Sequence, residues 1–146
     1  MSASASARPD LTTLRALLQE RFPGTTRLDT PAHGVLPSGI TALDALLPGG
    51  VPRGAASLFS GPPSSGKTGA AFRVMAGLTA AGGEVAFVHR GSLSVAAATW
   101  AGVEPRRLLA VHAESDGEAL RCADFLLRWQ AFHLVVLDWP GRGGHG

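Results

Sequence analysis

The chain has 146 residues, of which 45% are hydrophobic and 16% charged, and 13 basic against 11 acidic side chains leave a formal charge of +2. That length and composition fit one globular domain and exclude a collagen-like, largely disordered or strongly polybasic chain. Cys122 is the only cysteine, so neither an intrachain disulfide nor a zinc site built on cysteine pairs can form, and no apolar run reaches the roughly eighteen residues of a membrane span.

The start, MSASASARPD, lacks a signal-peptide core, and residues 1–8 are expected to be a disordered tail on a cytoplasmic protein. Asp10 caps a helix whose Leu11, Leu14, Leu17, Leu18 and Phe22 recur at helical spacing, and Pro23-Gly24 stops it. The turn-rich linker GTTRLDTPAHGVLP follows. Ser38 then opens a short helix, ITALDALL, ended by Pro48-Gly49-Gly50.

Four apolar runs read as strands, at residues 55–60, 84–89, 108–113 and 132–138. Between them lie a helix over 66–80, with Phe72, Val74, Met75 and Leu78 buried, and a short alanine-rich helix over 95–100. A third helix opens on the capping-box pair Ser115 and Glu118 and is expected to bury Leu120, Ala123, Phe125 and Leu127. Strands apolar on both faces, alternating with helices, predict an α/β fold with a parallel sheet covered on both sides. The sparse charge also favours a subunit or partner contact.

Residues 61–68, GPPSSGKT, fit the pattern GxxxxGK followed by Ser or Thr, between a predicted strand and a predicted helix. Each residue type has a physical role in such a loop. Gly61 and Gly66 allow backbone turns and close approach; amides from Ser64 and Ser65 to Gly69, beside Pro62, point at phosphate oxygens. Lys67 brings a compact cation to the outer phosphates, and the Thr68 hydroxyl ligates Mg2+. Of the 13 Lys and Arg residues Lys67 is the one lysine, which leaves twelve arginines. A point charge is thus used only here. Asp138, closing LVVLD at the tip of a buried strand, is the candidate partner for the magnesium shell.

The segment LPSGITALDALLPGGVPRGAASLFSGPPSSGKT, continued by AFVH, AGVEPRRLLAVHAESDGEAL and LVVLD, resembles the core of the RecA recombinase superfamily over residues 11–139. VLPSGITALDALLPGGVPRGA is most similar to the short RecA-like ImuA group, accessory proteins of translesion DNA synthesis. The resemblance implies ATP and Mg2+ as cofactors. It divides the chain into the tail at 1–8, a helix and linker at 9–30, and a RecA-like nucleotide-binding domain at 31–146, cut short after the strand that bears Asp138. It also implies contact with a RecA-type recombinase or a translesion polymerase, and self-association through the first helix.

Three departures limit what carries over. The family's water-activating glutamate aligns with Gly91, leaving His89 as the remaining candidate base and predicting a weak ATPase or none. Its adenine-stacking tyrosine falls near Ala97 or Ala98, with Trp100 able to compensate only if the short helix shifts. A strand that in the family separates the phosphate-loop strand from the one ending at Asp138 has no counterpart, so those two strands are expected to pair directly, to await a partner's strand, or to belong to a truncated relic. Arg106-Arg107 and Arg142 are the only local basic concentrations, and Arg15, Arg21, Arg121 and Arg128 read as solvated helix faces; contact with single-stranded DNA is expected to be indirect. Three functions stay open: an ATP-binding repair accessory, an interaction module with a vestigial loop, and an unrelated small phosphate-loop NTPase or kinase.

Overall fold

The computed structural model describes residues 10–23, 33–47 and 49–139. The expected tail at 1–8, residues 24–32 of the linker, Pro48, Arg142 and the side chains of Leu11 and Arg15 lie outside the described residues. The chain forms two units, Met1–Pro31 and Ala32–Gly146.

The first unit contains α1, Leu11–Arg21. Asp10 caps it as expected: its carboxylate accepts from the Thr12 amide at 3.2 Å, which satisfies a donor left over at the helix start. Leu14, Leu17, Leu18 and Phe22 of this segment are exposed.

In the second unit, β1 (Val35–Leu36) and β2 (Val51–Pro52) pair antiparallel, although the sequence placed residues 35 and 36 in an unstructured linker. The pairing buries Leu36 and Val51 in the core. Gly50 makes it possible: at φ +139° its backbone lies so close to Leu36 that a Cβ would come within 2.1 Å of the Leu36 carbonyl oxygen. Between these strands runs α2, Thr41–Leu46. Ser38 does not cap it directly, because Ile40 holds that position. Instead the fully buried Ser38 donates its amide to Asp44 at 2.8 Å, while its hydroxyl accepts from the Ile40 amide at 3.1 Å.

The main sheet has three parallel strands, β3 (Val85–His89), β4 (Leu108–His112) and β5 (Leu134–Asp138), in the order β4-β3-β5. Central β3 is buried on both faces, with Val85, Ala86, Phe87 and Val88 at most 2% exposed. α3 (Lys67–Ala80) and α4 (Val95–Trp100) contribute to the cluster on one face, where Phe72, Val74, Met75 and Leu78 are buried as expected and the Phe72 and Phe87 rings lie 5.9 Å apart. α5 (Asp116–Trp129) covers the other face through Ala119 and Leu126, which cluster with Ala86, Val88 and Ala113. A short 3-10 turn, Pro105–Arg107, leads into β4.

Two expectations are corrected. The stripe expected to be buried on α5 is rotated: Leu120, Phe125 and Leu127 are more than half exposed, and the inward line is Ala119, half-buried Cys122 and Leu126, at i, i+3 and i+7. The small Ala119 lets the helix approach Ala86 and Ala113 closely, which the bulkier Leu120 would prevent. Ser115 caps α5 through the Glu118 amide at 3.1 Å, but Glu118 reaches back to the Glu114 amide rather than closing a reciprocal box on Ser115.

The second correction concerns residues 55–60, which are not a strand. Leu58 is 89% exposed, and of this run Phe59 packs against the core. A strand is held by ladder hydrogen bonds, and no described strand pairs with this mostly exposed segment. Direct pairing of this segment with β5 therefore does not occur, and among the described residues β3 is the one strand paired with β5. In hydrogen exchange, the amides of Ala86, Phe87 and Val88 are expected in the slowest class and those of Leu58 and Phe59 in the fastest. Strong protection at Leu58 would show instead that the segment joins the sheet.

Candidate functional site

Residues 61–66 form a tight loop that feeds directly into α3. Gly66 is the residue before the helix and has a left-handed conformation, φ +89°, which a side chain would strain. Ser64 also has a positive φ, +62°, and the Ser65 amide donates to the Pro62 carbonyl at 3.2 Å, closing the turn. Gly61 keeps the loop tight: a Cβ there would lie 2.8 Å from the Ser65 hydroxyl, which would have to rotate away. The loop curls around its own lysine. Lys67 donates from Nζ to the Gly61 carbonyl and, at 3.1 Å, to the Pro62 carbonyl.

Thr68 and Gly69, in the first turn of α3, line a cleft of about 600 Å³ together with Asp138 from the end of β5. Thus the two candidate magnesium ligands, far apart in sequence, reach one cavity. Phe72 and Phe87 lend it apolar wall, and Arg73 and Trp100 also line it. Among the described residues no group of three or more His, Cys, Asp and Glu side chains is placed to hold a metal ion. A hydroxyl and one carboxylate suit Mg2+, which keeps several waters and takes phosphate oxygens instead of an all-protein cage.

The parallel register sets His112, His89 and Asp138 side by side at the C-terminal end of the sheet. The His89 and His112 rings meet edge to face at 5.3 Å. His89 Nδ1 lies 2.7 Å from the Gly91 carbonyl oxygen, which only accepts, so this nitrogen carries the proton. His89 adjoins Asp138 in register but is not part of the wall that Thr68 and Asp138 share. The loop after β3 is tied down by the Arg90–Asp116 ion pair at 2.5 Å. Gly91, at the position where the resemblance would place a carboxylate, has nothing within 4 Å of where a Cβ would stand.

Sequence reasoning missed Arg73 and left Trp100 dependent on a helix shift. The available signal was spacing: Ala97, Trp100 and Ala101 lie at i, i+3 and i+4, one stripe of α4 and its end, and all three line the cleft.

A parallel sheet with a glycine-rich loop wrapped on a lysine at a helix start defines the phosphate-loop class of α/β domain. The sequence model of the RecA N-terminal domain family matches residues 25–140. Proteins named "Protein RecA" are similar to this chain: that of a Nocardioides species is 42% identical over 106 residues, covering 71% of this chain and 30% of its own length. Those of Mycobacterium marinum and Streptomyces coelicolor are 40% and 41% identical over the same 71% of this chain, covering 31% and 28% of their own lengths. The chain belongs to the RecA family, and spans about 30% of the length of these relatives.

The loop geometry makes a contrast that can be measured in urea. Gly66→Ala forces a side chain into the left-handed region and should lower stability by about 1–2 kcal/mol. Gly77→Ala, inside α3 with nothing within 4 Å of the new methyl group, should raise it by up to about 1 kcal/mol.

Proposed function

We propose that the chain is a RecA-like, ATP-binding accessory protein of DNA repair, of the ImuA type associated with translesion synthesis, which binds Mg-ATP with weak or no hydrolysis and acts through protein partners. The observation that carries this reading is that Thr68 and Asp138 line one cleft, next to the loop that is wrapped on Lys67. In it, the amides of the loop from Ser64 to Gly69 bind phosphate oxygens at the start of α3, where the helix dipole favours negative charge. Lys67 exchanges its loop carbonyls for the outer phosphates, and Thr68 and Asp138 complete the shell of the ion. Mg2+ would neutralise charge on the phosphates.

Gly91 supports the second half of the reading, since no carboxylate stands there to orient water. The basic residues support an indirect role at single-stranded DNA. Arg107 is committed to Glu84 and to the Gly82 carbonyl, each at 2.7 Å, which leaves Arg106 as the uncommitted member of that pair among the described contacts. The partners in this reading are a RecA-type recombinase or a translesion polymerase. The exposed line of Leu14, Leu17, Leu18 and Phe22 on α1 is a surface for self-association. Membership of the RecA family removes the unrelated kinase or NTPase from consideration. Localisation in the cytoplasm belongs to the same proposal; among the described residues no helix is long and apolar enough to cross a membrane.

Mg-ATP or Mg-ADP should bind in the micromolar range, about 7–8 kcal/mol. At a ligand concentration near 100 times Kd this stabilises the fold by about 2.7 kcal/mol, a rise in Tm of roughly 8 °C. Lys67→Ala should abolish the rise. No nucleotide-dependent shift in the wild type would favour the alternative, an interaction module with a vestigial loop. Turnover should stay far below the roughly 1 per second of slow ordinary enzymes and should not respond to single-stranded DNA; turnover near that value would show that His89 or another group activates water.

A further inference from the structure

The C-terminal end of the sheet carries a second pair of ligand-type side chains, apart from the cleft of Thr68 and Asp138. His89 closes β3 and His112 closes β4, and the parallel register sets the two residues opposite each other. Their ring centres lie 5.3 Å apart, with the ring planes inclined by 71°. Two imidazoles on one tetrahedral ion, with about 2.0–2.1 Å from nitrogen to metal, have ring centres about 5 Å apart. The strands thus already bring these rings to the separation that a shared ion requires.

The hydrogen bonding of the pair suits the same use. His89 donates from Nδ1 to the Gly91 carbonyl at 2.7 Å, which fixes its tautomer and leaves Nε2 with a free lone pair. A backbone carbonyl on the far nitrogen is the usual support of a metal-bound imidazole. That support is itself anchored, since Arg90, next in the chain, is held by its ion pair with Asp116. His112 is exposed, and its ring makes no hydrogen bond among the described residues. It is free to turn about the soft outer torsion of a histidine and bring a nitrogen to the ion.

We propose that His89 and His112 form a two-imidazole site for a borderline divalent transition ion of the Zn2+, Ni2+ and Cu2+ class, with water in its remaining positions. Imidazole nitrogen suits these ions, whereas Mg2+ takes oxygen ligands, so the site is chemically distinct from the one read at Thr68 and Asp138 and does not depend on that reading. Asp138 adjoins His89 on its other side and takes no part. Two protein ligands leave the ion open to exchange. It bridges the ends of β3 and β4, an arrangement present only in the folded chain, and so acts as a clip that stabilises the fold when bound.

The test titrates the untagged full chain with Zn2+ against a chromophoric chelator, as wild type, His89→Ala and His112→Phe. His112→Phe keeps an aromatic ring beside His89 and removes only the lone pairs, and at an exposed position it should melt like the wild type in EDTA. The wild type should take up one equivalent, and each substitution should weaken that uptake about ten-fold or more. Zn2+ at about 100 times Kd should raise the wild-type Tm by roughly 8 °C and that of His112→Phe by far less. Millimolar Mg2+ should leave the Zn2+ affinity within about two-fold. Wild-type affinity in His112→Phe would overturn the pair, wherever the ion then sat, and so would displacement of Zn2+ by millimolar Mg2+ or the absence of uptake by the wild type.

Discussion

Central β3 is the constraint on which the rest of the molecule depends. Its residues Val85 to Val88 are buried on both faces, so its peptide groups lie where water cannot serve them and must be paired from both sides. β4 and β5 do this in strict parallel register. That register carries the ends of three strands to one level and puts Asp138 next to His89 at the C-terminal edge of the sheet. The connections agree. From β3 the chain passes through α4 on one face to β4, then returns through α5 on the other face to β5. The reversal of direction beside β3 produces the crevice at the C-terminal ends of the strands where such sheets hold ligands.

Much of this was legible in sequence because local and global demands coincide. Lys67–Ala80 has a helix start fixed by Gly66 and an apolar stripe that fits one sheet face; its bounds were predicted to within one residue, and its four buried apolar residues were predicted while buried Thr79 was not. The three strands of the main sheet were placed within two residues of their observed limits because runs such as VAFVH and LVVLD suit strands of a parallel sheet, although only β3 is buried on both faces, while β4 is largely exposed and β5 half-buried. What escaped was set by partners distant in the chain. Ala55 to Ser60 has the composition of a strand, but a strand exists only through its neighbours, and no described strand pairs with it. α5 carries enough leucine and aromatic residues for two rival stripes, and the close approach allowed by Ala119 decided between them. The loop residues of the candidate site were recognisable because phosphate binding asks for glycines and a lysine at fixed spacing. Arg73 was not, because nothing in its neighbourhood in sequence says that α4 stands across from it.

The family relation and the departures from it fit together physically. Nucleotide affinity rests on backbone amides, one cation and a metal ion, all of which need only a short loop and one distant aspartate. Turnover needs in addition a group that orients water at the right instant, and the open space at Gly91 lacks it. Under the function proposed above, such a domain would respond to nucleotide occupancy rather than to turnover.

The place of β5 in the chain has a further consequence, during synthesis. The strand that covers the second edge of β3 begins 49 residues after it, as the contacts between Glu84 and His133 record. At about 5–20 residues per second a ribosome needs several seconds to add that stretch. Through that interval the most apolar strand of the protein has a bare edge, and nascent chains on the same message present identical ones. An uncovered edge on an apolar strand is open to pairing with another chain, so association between nascent chains competes with folding until β5 is made.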